Sequence, residues 1–395
     1  MIWDKIILVV VFFLYSIVLM KQKYLFFYLM TGGGHASTAK AVEKYFQKNH
    51  SDTIDVVLVD WFKNFDSIVK NIVLDGYAQA QSKSYAKLAY EFLYLINKSY
   101  LGAKISQLTL SISLMSHLKK LIQQERPDKI VVFHFFLIRP LLKILKILKL
   151  NIPIITVVTD PFTTSRLRFL EKNMEYMVYS DSMKAYALEN WIPENNITVF
   201  PAIIDEKFAT KISPMETENI KKRLWFLLDK KVILLLWSGD WFPKGELFLK
   251  HLSKINIDAY IAIVCWRNIR LLAAAEKIQK ENPHLHLKIY GFIDFVYDLI
   301  NISDVVVTKW WPAGIFEILM LDKIPLIHTY MWEQEKWNVE FIVQNNVGVY
   351  QKDIKKLIEF MKELFNWNDS VYQKNIKKLE LRIGTSEIAE HIRKI

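Results

Sequence analysis

Residues 308–348 read TKWWPAGIFEILMLDKIPLIHTYMWEQEKWNVEFIVQNNVG. The SDVVV before them reads as a short buried strand, 308–314 as a turn, and 315–321 as the opening of a helix with Glu317 in its first turn. A ligand at the carboxyl end of such a strand meets a helix N-terminus. It also meets one carboxylate, which suits the paired hydroxyls of a ribose. The next unit repeats the plan: IPLIHT as strand, a loop carrying Glu333, Gln334, Glu335 and Asn338, and a helix from Val339. Amides and carboxylates crowded into a strand-to-helix loop are what a site needs to hold a many-hydroxyl ligand such as a sugar. Strand and helix alternate in both halves of the chain, which predicts an α/β protein of two Rossmann-like, doubly wound domains with the site in the cleft between them.

At 395 residues the chain is long enough for two cores. Its net charge of +11 admits nucleic acid or an anionic lipid leaflet as partner. No basic run interleaved with aromatics and no zinc-finger spacing occurs, so an anionic membrane surface is expected and nucleic acid is not. A single cysteine, Cys265, excludes an internal disulfide and suits the cytosol. His284 and His286 alternate across an expected strand without further metal-ligand spacing, and no D-x-D occurs; neither a metal nor any other cofactor is expected.

Residues 6–20, IILVVVFFLYSIVLM, form an apolar run with Lys5 before it and Lys21 and Lys23 after it. It is short of the roughly 20 residues of a full span and lacks an A-x-A-type cleavage site. An uncleaved anchor over 1–22 is expected, with the rest of the chain on the cytoplasmic face of the cell membrane; an interfacial or buried helix is the alternative. YLFFYLM then reads as a strand leading into TGGGHASTAKAVEKYF, where glycines let backbone approach a ligand at a helix N-terminus. Its third Rossmann glycine is missing. His35 follows at once and is a candidate general base. Strands are expected at 54–60 and 129–134, and another ending at Asp160. Between the first two, 61–114 is a long aromatic segment with helical spacing. Lys143, Lys146 and Lys149 share one side of a leucine-rich helix, which suits either an anionic lipid surface or a solvated face above a packed core. The first domain is expected over 23–205 and the second over 206–395, with one C-terminal helix crossing back to the first.

In this order the residues resemble family 28 glycosyltransferases, especially the monogalactosyldiacylglycerol synthases and the processive diacylglycerol glucosyltransferases. Their pattern is T-K, a glycine-rich turn, a Glu on the following helix, a strand ending Pro-Ile, then P-G-Q-E-x-G-N. Thr308, Lys309, Glu317, Pro325, Gln334, Glu335 and Asn338 fall in register with it. The resemblance implies a GT-B fold. It also implies an inverting enzyme that moves a hexose from a UDP-sugar to diacylglycerol, forming a β-glycolipid. For the acceptor side it implies His35 as catalytic base, with Gly33, Gly34, His134 and Asp160 around the acceptor. For the donor it implies Ser238, Gly239, Arg267, Asn268, Gly291, Phe292, Ile293 and Gly314, beside Thr308, Lys309, Glu317, Gln334, Glu335 and Asn338. Shortly after T-D the family carries a His and a Trp; this chain has Ser165 and Arg168, which leaves the acceptor open. The N-acetylglucosaminyltransferase of lipid II synthesis, the sugar-nucleotide 2-epimerases and a non-catalytic sugar-nucleotide or lipid-binding homologue are the rivals.

One departure recurs. Where the family has small residues, usually glycine, this chain has Trp191, Trp225, Trp237, Trp241, Trp266, Trp310, Trp311, Trp332 and Trp337. Trp cannot take φ > 0 cheaply, and it fills space that a pyrophosphate or sugar would occupy. The chain holds 12 Trp but 11 Gly, against roughly 7% Gly in ordinary proteins. The expectation is a gene that reads UGA as glycine, translated with a table that reads UGA as tryptophan. Richness in Lys, Ile, Asn, Phe and Tyr fits the AT-rich coding in which such reassignment arises. The alternative is a diverged homologue with a filled donor site.

Overall fold

The computed structural model describes residues 21–29, 34–61, 92, 95–97, 99–237, 245–255, 257–309, 311–330, 333–365 and 371–395. The expected anchor over 1–22 lies outside them but for its last two residues, and most of the aromatic segment after Trp61 lies outside them too. Among the described residues no helix is long and apolar enough to cross a membrane.

In chain order the first half runs β1 (Gln22–Tyr28), α1 (Gly34–Asn49), β2 (Ile54–Asp60), α2 (Tyr100–Glu125), β3 (Lys129–Val132), α3 (Ile138–Leu148), β4 (Ile154–Val157), β5 (Glu175–Val178), α4 (Asp181–Glu189) and β6 (Ile197–Val199). The second half runs α5 (Pro214–Arg223), β7 (Lys231–Leu236), α6 (Gly245–Leu252), β8 (Ala259–Val264), α7 (Ile269–Glu281), β9 (Leu287–Tyr290), α8 (Val296–Ile302), β10 (Val305–Thr308), α9 (Pro312–Met320), β11 (Ile324–Ile327), α10 (Glu333–Gln344) and β12 (Val349–Tyr350). Three helices close the chain: α11 (Ile354–Phe365), α12 (Val371–Lys378) and α13 (Thr385–Lys394).

Two six-stranded sheets result, ordered β2-β1-β3-β4-β5-β6 and β12-β11-β10-β7-β8-β9, and every strand pair is parallel. Helices cover both faces of such sheets, so their strands read as continuous apolar runs. Tyr24, Leu25, Phe26 and Phe27 of β1 are all buried, Leu25 and Phe27 in one core and Tyr24 and Phe26 in the core of the opposite face. In β7, Ile233 and Leu235 oppose Val232, Leu234 and Leu236 in the same way. The order reverses between β1 and β3 in the first sheet and between β7 and β10 in the second. Ligands of open α/β sheets sit outside the strand carboxyl ends at such points.

The helix that crosses back is α13. Its Ile388, Ala389 and Ile392 complete the core formed by Tyr24, Phe26, Val42 and Phe46. Buried Lys129 Nζ donates to the carbonyls of Ile392 at 2.9 Å and Arg393 at 2.7 Å, satisfying two of the acceptors left open at its C-terminus. The chain therefore passes between the halves twice, side by side. Ala202 pairs with Ile383, Gly384 N–H donates to the Ala202 carbonyl at 2.9 Å, and Thr385 Oγ1 donates to Ile204 O at 2.6 Å. A Cβ at Gly384 would stand 2.9 Å from the Pro201 carbonyl oxygen, so glycine alone fits this close crossing. Lys44 to Asp205 at 2.9 Å, and Phe162 stacked on Phe341 at 4.9 Å between ring centres, also join the halves.

Three details of local structure differ from expectation. Pro312 occupies the first helical position, where its fixed φ is favourable, so α9 starts three residues early and Glu317 lies in its second turn. The supposed loop carrying Gln334, Glu335 and Asn338 is already helical, as the first turns of α10. His284 and His286 precede β9 and lie outside it. The lysine-bearing helix has the packed underside and exposed lysine that both of its readings require. In α3, Leu141, Ile144 and Leu145 are spent in the core beneath the helix, and Lys146 faces solvent.

Candidate functional site

The first sheet's reversal point carries the expected base. Residues 30–33, Gly33 among them, lie outside the described residues, and Gly34 opens α1 with nothing within 4 Å of where a Cβ would stand. No acidic residue sits in the first turn of α1 itself. His35 Nδ1 lies 2.7 Å from Thr159 Oγ1, and the imidazole also hydrogen-bonds the Phe133 backbone. Burial pushes its pKa down to about 4, and the Arg168 guanidinium adds to the shift, against the opposing Asp160 carboxylate. His35 is thus neutral at pH 7, the form a base needs, but a weak one.

His134 stands edge-on to His35, with 4.9 Å between ring centres. It caps the short turn of Phe135–Leu137 by accepting from Phe136 N–H, and burial, followed by His35 and Arg168, holds it well below the usual imidazole range. Asp160 accepts from Arg168 Nη2 at 2.7 Å and from Thr164 Oγ1 at 2.9 Å. Arg168 Nε in turn donates to Thr164 at 2.6 Å, and the guanidinium lies 5.1 Å from the Phe135 ring centre. Arg168 is 2% exposed, and its Nη1 has no hydrogen-bond partner among the described residues. Arg168, one of the two residues that depart from the family pattern, therefore contributes to the electrostatics of His35, second to burial. Sequence reasoning assigned it no role, because its partner Asp160 is identified only once the loop folds back. Thr159 and Tyr179, whose hydroxyl donates to Thr38 Oγ1 at 3.2 Å, were missed for the same reason.

On the second sheet the expected residues fall into three groups. Ser238 and Gly239, after β7, lie outside the described residues. After β8 and β9, Arg267 stands over the Phe292 ring at 5.2 Å, and Phe292 is edge-on to Trp266 at 5.7 Å. Gly291 lies alongside, since a Cβ there would be 3.8 Å from the Trp266 carbonyl, and Ile293 is half-buried in the neighbouring core. Asn268 serves the local structure, since its Oδ1 accepts from Leu271 N–H at 3.0 Å and caps α7. At the end of β10, Thr308 and Lys309 are buried, with Lys309 Nζ 5.3 Å from the Trp311 ring centre. Glu335 and Asn338 are buried polar residues of α10, while the side chain of Gln334 lies outside the description. Gly314, inside α9, has open space where a Cβ would be. His328, just past the end of β11, is a further buried polar residue that sequence reasoning missed.

Glu317 is electrostatically distinctive. Burial raises its pKa from 4.5 to about 7, against the pull of the Lys207 ammonium and with a further push from Asp205. Those two charges belong to the crossing between the halves, so Glu317 faces the cleft side of the second domain.

Two parallel, doubly wound six-stranded sheets with flanking helices, each carrying polar side chains at its reversal point, constitute the GT-B architecture. A glycosyltransferase from Rickettsia africae has this fold with TM-score 0.55 at 17% identity, covering 95% of this chain and 99% of that one. A UDP-GlcNAc 2-epimerase from Neisseria meningitidis bound to UDP-GlcNAc has it with TM-score 0.58 at 16% identity, covering 95% and 100%. The resemblance within this class also stands: residues 35–202 match the monogalactosyldiacylglycerol (MGDG) synthase family. The chain is 26% identical over 326 residues to a processive diacylglycerol β-glucosyltransferase of Bacillus thuringiensis, covering 82% of this chain and 80% of the relative. It is 23% identical over 348 residues to monogalactosyldiacylglycerol synthase 2, chloroplastic, of Arabidopsis thaliana, covering 85% and 72%.

Proposed function

We propose that the chain is an inverting hexosyltransferase that moves a galactosyl or glucosyl group from a UDP-sugar to diacylglycerol at an anionic membrane surface. The observation that carries this reading is His35, held neutral at one reversal point, within a chain whose diacylglycerol-glycosylating relatives align over more than four-fifths of its length. The donor would lie along the ends of β7 to β10, with its ribose at Glu317 and its diphosphate at helix N-termini and Lys309. The acceptor hydroxyl would take the place of Thr159 at His35. Its oxygen attacks the anomeric carbon from the face opposite the leaving group, the bond to the diphosphate oxygen breaks, and the hydroxyl proton passes to His35. Inversion gives a β-linked product, and UDP leaves with the bonding pair. A bound diphosphate brings negative charge toward His35 and raises its pKa, so the base strengthens when the donor is in place.

The test is transfer from labelled UDP-glucose and UDP-galactose to diacylglycerol in anionic vesicles. The His35→Ala variant should lose transfer by about 10²–10⁴-fold while retaining UDP binding. Unchanged transfer removes His35 from the mechanism, and an α-linked product refutes inversion. A second reading, a non-catalytic homologue, draws on Trp237, which is 1% exposed and packs edge-on against Phe248 at 5.7 Å where a donor loop begins. Absence of UDP binding in the chain as written favours it.

A further inference from the structure

Three tryptophans stand where the backbone is left-handed: Trp191 at φ 60°, Trp225 at φ 62° and Trp266 at φ 53°. In that region Cβ crowds the neighbouring carbonyl, and a bulky residue there is a strained exception. Two of the three end helices in the same way. Trp191 N–H donates to Leu188 O at 2.8 Å and Ile192 N–H to Ala187 O at 3.1 Å, closing α4. Trp225 N–H donates to Lys222 O at 3.1 Å and Phe226 N–H to Lys221 O at 2.8 Å, closing α5. This paired closure is the Schellman motif, whose left-handed residue is usually glycine.

At the two helix ends packing does not offset the strain. Ile192 and Phe226, the residues that follow, are buried as the motif requires, whereas Trp191 and Trp225 are 68% and 81% exposed. The Trp191 ring lies 5.5 Å from the Lys172 ammonium. Trp266 ends β8 with its indole Nε1 buried and without a hydrogen-bond partner among the described residues. The other left-handed residues, Arg126, Lys149, Asp322, Asn346 and Glu380, are all polar. Asp322 and Asn346 belong to the types that tolerate this conformation best. Conversely, none of Gly34, Gly102, Gly291, Gly314, Gly348 and Gly384 is left-handed. At these three turns the backbone calls for glycine, and tryptophan stands there.

We propose that the natural protein carries glycine at 191, 225 and 266, and that these tryptophans are UGA codons read with the wrong table. One misread codon extends to the six others that resemblance marked: 237, 241, 310, 311, 332 and 337. Trp266, Trp237 and Trp311 close the carboxyl ends of β8, β7 and β10. With glycine there, backbone N–H groups at those ends become open to a diphosphate. This last consequence rests on the proposed donor site; the residue identities do not.

The experiment is the codon at each of the nine positions, together with peptide masses of the protein isolated from its native cells. UGA codons and glycine-mass peptides are expected. UGG codons, or tryptophan in peptides covering 191, 225 and 266, overturn the proposal. The strain is measured separately on the chain as written. Trp225→Gly should raise Tm more than Trp225→Ala does, because alanine removes the exposed ring without relieving the left-handed backbone. Trp61→Gly, at a buried tryptophan outside the left-handed set, should lower it. An equal response of Trp225→Gly and Trp225→Ala refutes the conformational argument.

Discussion

Glu317→Gln isolates the cost of burying one carboxylate. In the folded chain the Glu317 pKa is raised from 4.5 to about 7, chiefly by burial. Below pH 4.5 the folded and unfolded states are both protonated, and the group costs nothing. Between 4.5 and 7 the unfolded chain releases the proton while the folded chain retains it, so stability falls as pH rises. Above 7 both are ionised and the penalty is constant. Each pKa unit is worth about 1.4 kcal/mol, so the full penalty is on the order of 3 kcal/mol. Glutamine has the same shape and no charge. The variant should match the parent at pH 4.5 and exceed it in stability by about 2–3 kcal/mol at pH 8. Urea unfolding of both proteins at pH 4.5, 6 and 8 measures the difference. A gap that does not change with pH refutes burial as the cause. The same variant should bind UDP at least about tenfold more weakly at pH 8, because two ribose hydroxyls lose an ionised acceptor. A carboxylate that destabilises the empty fold yet strengthens nucleotide binding is the signature of a ligand-holding group. Equal UDP affinity removes Glu317 from the donor site.

Burial, the main cause of the low His35 pKa, remains in Arg168→Met, but the guanidinium's smaller share is removed while Asp160 stays, so the pKa should rise part of the way from about 4; an unshifted imidazole NMR titration refutes this, and the loss of a buried partner should also cost about 3–5 kcal/mol. Ile388→Ala, in the face that α13 applies to the first sheet, should cost about 2–5 kcal/mol in urea unfolding. Glu390, held at about 2 by Arg393 and His50, stabilises the fold above its ordinary pKa, and that contribution is lost as pH falls through 2. Glu390→Gln should therefore lower Tm at pH 7 and leave it unchanged near pH 2.

Much of the fold is visible in the chain because parallel strands are buried on both faces. VVLV, IVV, VILLL and VVV are apolar without alternation, and each lies in a strand. The glycine turn before His35 and the Thr308–Lys309 pair mark the two reversal points for a related reason, since both follow a strand directly. Helix starts were less legible. Pro312 is a helix-opening signal that the glycine-rich family turn overrode, and the polar run from Glu333 suits a helix N-terminus as well as a loop. Two acceptor-side contacts were not legible, for different reasons. Arg168 meets Asp160 within one loop, eight residues back, where no regular period announces the pairing. His35 meets Thr159 from a different strand end, and nothing local in the sequence announces that contact.

The paired crossings at Ala202 and Ile383 mean that the first half is not a continuous piece of chain, whereas the second is a single stretch set between its two parts. A fragment ending at residue 205 keeps all six strands of the first sheet yet leaves Tyr24, Phe26, Val42 and Phe46 without Ile388, Ala389 and Ile392. A dissection of the molecule has to supply the last dozen residues in trans, as a peptide, or join them to the fragment by circular permutation. A chain that stops anywhere before α13 leaves the same apolar face of the first half uncovered, so a helix encoded after the whole second half is part of the first half's core.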